Sequence, residues 1–298
     1  MTPEVVCGLT MRIKATGKLF ECGSCEPVRM KIRLFLIGSY LLNPHSKYLN
    51  FKSQAALTCA LALLLTACAA KNQINPSLSK QMPQKILWAW ERPEDLRFLD
   101  QKQFGVAFLA ETLTLERNDV IFDPRRQPLE VNPGTYLIAV TRIETNKTGG
   151  NRPAYSIEQQ RKLLTLIRRT LDLPDVKAVQ IDFDAVASER EFYREMMIEL
   201  RKRIPAGVPL TMTSLASWCT GDAWFNDFPV DEAVPMAFQM GSDTEKIKRF
   251  LANGNDWNEP LCRGSYGISV EEPLNVELKP GRRIYYFKST AWSREDIQ

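Results

Sequence analysis

The densest chemistry in the chain lies in Val179-Gln180-Ile181-Asp182-Phe183-Asp184. Polar and apolar residues alternate there, as they do in a strand whose successive side chains point to opposite faces. Asp182 and Asp184 then share one face, with Cα atoms roughly 6.6 Å apart. Two carboxyl groups that close, in a poorly solvated setting, resist ionising together, so one pKa rises. An acid kept protonated near neutral pH is what glycosidic cleavage uses to protonate the leaving oxygen. The structural alternative makes Asp184 a loop cap and Asp182 a buried polar contact. Two charges inside an apolar strand need a reason, and that favours function.

Acids and aromatics also follow other apolar runs. Glu91 and Arg92 follow Trp88 and Trp90, and Glu111 follows Phe104–Leu109. Arg142 and Glu144 follow Thr135–Thr141, and Asp222 follows Ser217-Trp218-Cys219. Gln239 follows Glu232–Phe238, and Lys288 and Trp292 follow Arg283–Phe287. Indole faces stack on sugar rings, and acids and amides bind hydroxyls, so the collection suits a carbohydrate cleft. The catalytic candidates are Asp182, Asp184 and Glu144. The substrate-binding candidates are Trp88, Trp90, Glu111, Arg142, Trp218, Asp222, Gln239 and Trp292. Asp231 and Glu232 open a strand and fall at its far end from this chemistry.

The elements that position these residues are eight short β-rich runs. They are Lys85–Trp90, Phe104–Leu109, Thr135–Thr141, Lys177–Asp182, Pro209–Leu215, Glu232–Phe238, Gly264–Ser269 and Arg283–Phe287. Several are apolar on both faces, as buried parallel strands are. Helices fit between them. Ser156 with Gln159, Ser188 with Glu191 and Ser242 with Glu245 each have capping-box spacing. Leu163, Leu164, Ile167 and Leu171 then share one helix face, as do Phe192, Met196, Met197 and Leu200. Strand–helix alternation with eight strands predicts an α/β protein, an irregular (β/α)8 barrel in one domain. Its chemistry belongs at the C-terminal strand ends. Thr112–Glu116 and Val120–Asp123 read as a hairpin rather than a helix. The last unit has only Glu271–Gly281 for a helix. An open α/β sheet is the fallback, yet no Gly-x-Gly-x-x-Gly or P-loop supports nucleotide binding.

Composition narrows the classes. Among 298 residues, 39 Lys+Arg face 35 Asp+Glu, with seven cysteines and one histidine. The apolar run Ala55–Ala67, about 13 residues, is a secretory h-region too short to span a bilayer. It ends in Leu65-Thr66-Ala67-Cys68, which resembles a lipobox with Cys68 as the lipidated residue. Cleavage there would remove eight basic and three acidic residues and leave the net charge at −1 instead of +4. It would also remove His45, the lone histidine, and with it any histidine base or histidine-ligated zinc. Near-zero charge excludes the counterion-displacing surface of a nucleic-acid binder. No cofactor or metal is expected. Of the cysteines left besides Cys68, Cys219 and Cys262 form an even pair, and an oxidising compartment permits a disulfide. Closing that loop of 43 residues would contribute roughly 3–4 kcal/mol. The expected organisation is a misassigned extension plus signal peptide over 1–67, a lipidated cysteine and tether over 68–83, and the barrel over 84–298. The expected address is the bacterial cell envelope, anchored in the outer membrane by lipid and facing the periplasm. The expected partner is a polysaccharide.

Gln180–Ala185, Leu215–Asp222, Val230–Met240 and Leu261–Glu272 resemble, in order, segments of an uncharacterised family of bacterial lipoproteins regarded as glycoside-hydrolase-like barrels. The runs Asp231-Glu232-Ala233-Val234-Pro235-Met236 and Leu261-Cys262-Arg263-Gly264-Ser265 carry most of that resemblance, which spans Ile86–Ser293. The strand ending in Asp184 is also similar to the Asp-x-Asp-x-Glu motif of family-eighteen chitinases. With Asp182 and Asp184 on its two aspartates, Val186 stands at the acid's position. With Asp182 on the second aspartate, Asp184 takes the acid's position and Gln180 replaces the first aspartate. The resemblance implies a glycoside-hydrolase-like barrel without a known reaction; together with the carboxylate pair and the lipobox, the expectation is a lipid-anchored hydrolase of an envelope or secreted polysaccharide, or a non-catalytic glycan-binding lipoprotein that kept the cleft.

Overall fold

The computed structural model describes residues 81–298 apart from Ala223 and Gln298. Cys68, the apolar run before it and most of the expected tether lie outside the described residues. In chain order the first elements are β1 (Lys85–Ala89), β2 (Glu94–Asp95), β3 (Phe104–Glu116), β4 (Asp119–Pro124), β5 (Leu129–Glu130) and β6 (Tyr136–Thr145). There follow α1 (Ile157–Arg169), β7 (Val176–Asp182), α2 (Arg190–Arg203), β8 (Leu210–Leu215), β9 (Glu232–Met236), α3 (Thr244–Ala252), β10 (Ser265–Ser269) and β11 (Arg283–Phe287). Eight strands pair in parallel in the order β1-β3-β6-β7-β8-β9-β10-β11. The ring closes because β1 pairs on both sides, Ile86 lying opposite Gly105 and opposite Tyr285. This is a closed, irregular (β/α)8 barrel.

The strands read as apolar on both faces because both faces are covered. Ile86, Trp88, Ala107, Ile138, Val140, Ala178, Val234 and Tyr285 fill the interior. Between them in sequence, Leu87, Ala89, Val106, Phe108, Leu137 and Ala139 pack outward under the 96–99 loop and Trp292. The helices cover the rest. On α2, Phe192, Met196, Met197 and Leu200 are buried on one stripe, each contributing roughly 1.5–3 kcal/mol. A charge at Met197 would undo that contact.

Helix starts depart in part from their sequence signatures. Ser156 caps α1 by accepting from the Gln159 N–H, and Gln159 reaches back to the N–H of Tyr155 rather than of Ser156. The boxes expected at Ser188/Glu191 and Ser242/Glu245 do not form. Short 3₁₀ turns, Ala187–Glu189 and Gly241–Asp243, lead into α2 and α3 instead, and tightened bonds of this kind absorb free N–H groups. Glu189 accepts from the Val186 N–H at 2.8 Å.

The irregularities lie around the mouth. β3 runs unbroken for 13 residues into the hairpin with β4, so Thr112–Glu116 is no separate strand. A bulge at Ala110 shifts its register against β6. After β8 comes a five-residue π-helical turn, Trp218–Asp222, and no α-helix follows β10. Cys219 in that turn is disulfide-bonded to Cys262 just before β10. At the barrel's other end Met82 is buried, and the carbonyls of Met82 and Pro83 accept from Arg283. The last residues of the expected tether are thus part of the barrel floor.

Candidate functional site

β7 supplies the centre of the site. Phe183 points outward onto Tyr193 of α2, with ring centroids 5.1 Å apart, so Gln180, Asp182 and Asp184 share the inward face. They climb from core to mouth. Gln180 is buried, accepts from the Trp88 indole N–H at 2.8 Å, and donates to the Thr211 hydroxyl at 3.2 Å. Asp182, one step higher, is 9% exposed and accepts from the Thr213 hydroxyl at 2.6 Å. Asp184 stands at the rim, open to solvent.

Above Gln180 opens a cleft of about 410 Å³. Asp182, Asp184, Thr213 and Arg142 form its polar wall, and Trp88, Trp90, Phe238 and Phe287 its aromatic one. Phe238 and Phe287 stack at 4.9 Å. Trp88 can lie flat in the interior because position 267 is glycine: a Cβ there would sit 2.9 Å from the indole ring. Gln239 closes one side with its backbone at φ 50°, an uncommon conformation for a non-glycine residue, and its N–H donates to Glu272 at 2.9 Å. The segment Gly241–Asp243 completes that side.

Burial dominates the electrostatics. Loss of solvation, with the Asp184 charge as the next cause, pushes the Asp182 carboxyl up to about 6; the Thr213 hydroxyl and Arg142 pull the other way. Although its tip is open to solvent, crowding by the cleft wall also raises Asp184, opposed by Arg142 and Lys147. An acid poised near neutrality beside a second carboxyl can donate a proton to a leaving oxygen and take it back. Among the described residues no three His, Cys, Asp or Glu side chains converge as a metal site requires. None of their helices is long and apolar enough to cross a membrane.

The remaining candidates divide. Glu144 is half-exposed, ion-paired to the Arg142 Nε at 3.0 Å, and lies in a neighbouring hollow rather than in the cleft. Arg142 leans over the Trp90 ring at 5.9 Å. Glu111 turns outward: its carboxylate accepts from Thr141, whose strand neighbours Val140 and Arg142 face inward. The bulge at Ala110 reverses the alternation of β3, which would otherwise aim Glu111 at the mouth. Burial pushes the Glu111 carboxyl up to about 7, with the Thr141 hydroxyl and the Arg169 charge opposing it. Trp218 packs into an aromatic cluster with Trp224 and Phe225, ring centroids 5.1 and 6.1 Å away. Asp222 is ion-paired to Arg190 on the surface. Trp292 is buried behind β1 and donates to the Trp88 carbonyl at 2.8 Å. None of these last four lines the cleft. Thr213 was not among the sequence candidates, although Thr211 and Thr213 alternate with Leu210 and Met212 as an inward polar face would.

No family model and no curated protein sequence matches the chain. Among solved structures, the chain is similar to the spore cortex-lytic enzyme SleL of Bacillus cereus, at 16% identity and a TM-score of 0.42. The match covers 63% of this chain and 51% of that one, so the chain spans about half that protein's length. A likeness this remote bears on neither substrate nor mechanism.

Proposed function

We propose that the barrel is a glycoside-hydrolase-like protein of the bacterial cell envelope acting on an envelope or secreted polysaccharide. The observation that carries the reading is the Asp182–Asp184 pair, at the end of β7 and just beyond it, lining one aromatic-walled cleft, with Asp182 held near neutrality by burial. Asp184, at the solvent rim, is the proton donor. Asp182, whose own carboxyl the Asp184 charge helps to raise, is its partner deeper in the cleft. Of the two chitinase-like registers, the one placing Asp184 at the acid's position fits better, because Gln180, Asp182 and Asp184 share the interior. Val186 is exposed beyond the strand, its N–H engaged by Glu189.

A second reading, a non-catalytic glycan-binding protein, is favoured by one specific observation. Glycoside hydrolysis ordinarily uses two carboxyl groups flanking the scissile bond, and neither the catalytic candidate Glu144 nor the nearby Glu111, a second acid that could serve, lies in the cleft. Glu111 faces outward, and Glu144 is tied to Arg142 outside the cleft. A hydrolase here would draw its nucleophile from the substrate, such as an acetamido group, or from water. New reducing ends released from a panel of envelope polysaccharides separate the readings. Release by the wild type but not by Asp184→Asn supports the hydrolase. Release by neither, with one polymer retained in a pull-down, supports binding alone.

The lipobox-like Cys68 supports an anchor of several acyl chains, each buried methylene adding about 0.8 kcal/mol. Ala69 after it supports the outer membrane, with the protein facing the periplasm. Radiolabelled palmitate retained by Cys68→Ser would contradict that anchor.

A further inference from the structure

β3 and β6 run past the barrel rim, and with β4 they make a small sheet standing beside the cleft. Parallel register sets Thr112 beside Arg142 and Thr114 beside Glu144, and antiparallel register sets Thr112 opposite Asp123. Because Arg142 faces the cleft, this row shares its face. The row borders a second hollow of about 430 Å³, lined by Thr112, Thr114, Asp123 and Glu144. The two hollows meet at the Arg142–Glu144 ion pair, Arg142 lining one and Glu144 the other.

Of the charged groups in this second hollow, Glu91 has no side-chain partner among the described residues and burial raises the Glu111 carboxyl to about 7, while the others are tied within the protein. Arg142 holds Glu144, Arg126 holds Asp123 at 3.3 Å, and Arg125 donates to the carbonyls of Trp90, Arg92 and Gln127. What remains toward solvent is two threonine hydroxyls, the exposed Glu91 carboxylate and carboxylate oxygens already partnered on one side. Such groups suit sugar hydroxyls better than a strongly charged ligand, whose binding would have to break those pairs.

We propose that the β3–β4–β6 sheet is a second glycan-binding site that continues the cleft, taking flanking units of a neutral polysaccharide so that the protein engages the interior of a chain. This rests on the carbohydrate reading of the cleft. The test is calorimetric titration of the full chain with length ladders of neutral β-linked oligomers of glucose, mannose and N-acetylglucosamine. Wild type and Thr112→Val/Thr114→Val are compared. Valine suits a strand, and binding of short oligomers reports that the variant is folded. Long oligomers are expected to bind the wild type about tenfold more tightly than short ones. Loss of two hydrogen bonds should remove most of that gain, about fivefold or more, without touching short oligomers. Binding of short oligomers with no dependence on length, or a length gain kept by the variant, overturns the second site and leaves the cleft reading standing. Binding of no ladder at any length by the wild type overturns both.

Discussion

Both ends of the barrel bury carboxylates, and they treat them oppositely. At the floor, Glu232 is 1% exposed and meets a full set of partners. Both its oxygens accept from Arg283, at 2.8 and 2.7 Å, and the Tyr285 hydroxyl donates to one of them at 3.1 Å. Arg283 in turn donates to the carbonyls of Met82 and Pro83. At the mouth, Asp182 has one hydroxyl, a second carboxyl, and the charge of an arginine, Arg142, that is ion-paired to Glu144 instead. Paired charge of the first kind fixes a structure. A charge left short of partners beside a cleft gains nothing structurally, and perturbed groups of that kind gather at functional sites.

The contrast can be broken by mutation. Glu232→Gln should show the largest effect, a loss of about 3–5 kcal/mol, because it strands a buried guanidinium. Chemical denaturation measures this, and a loss below about 1 kcal/mol would erase the difference between the two ends. Asp182→Asn should act in the opposite direction and less strongly. The folded carboxyl is raised from 3.8 to about 6, so the wild type loses stability as pH climbs through that window. The variant has no such loss. It should match the wild type below about pH 4 and exceed it above pH 6, by at most about 3 kcal/mol. Denaturation at both pH values shows the crossover, and equal stability differences at the two would remove the linkage.

The barrel was legible because its strands are buried on both faces and so read as apolar runs bounded by turns. Each strand's start and end moved by only a few residues, except in β3, where the expected hairpin arm was continuous with the strand before it. The inward pair Asp182 and Asp184 followed from simple alternation. Alternation failed at Glu111, because a one-residue bulge leaves no mark in Leu109-Ala110-Glu111 and yet reverses every side chain after it. Residue type failed for Trp218 and Trp292: an indole suits a sugar face and a core equally, and only the fold decides. Local capping rules failed at Ser188 and Ser242, where 3₁₀ turns satisfied the helix ends first.

The mouth keeps Asp182 in a protonatable state, without an ion-pair partner, through burial and through Asp184. Carbon-13 NMR titration of the Asp182 carboxyl, in the wild type and in Asp184→Asn, tests it most directly. A midpoint near 6 is expected in the wild type and a lower one in the variant, since a like charge has been removed. A wild-type midpoint near the ordinary aspartate value, unmoved by the substitution, would contradict it.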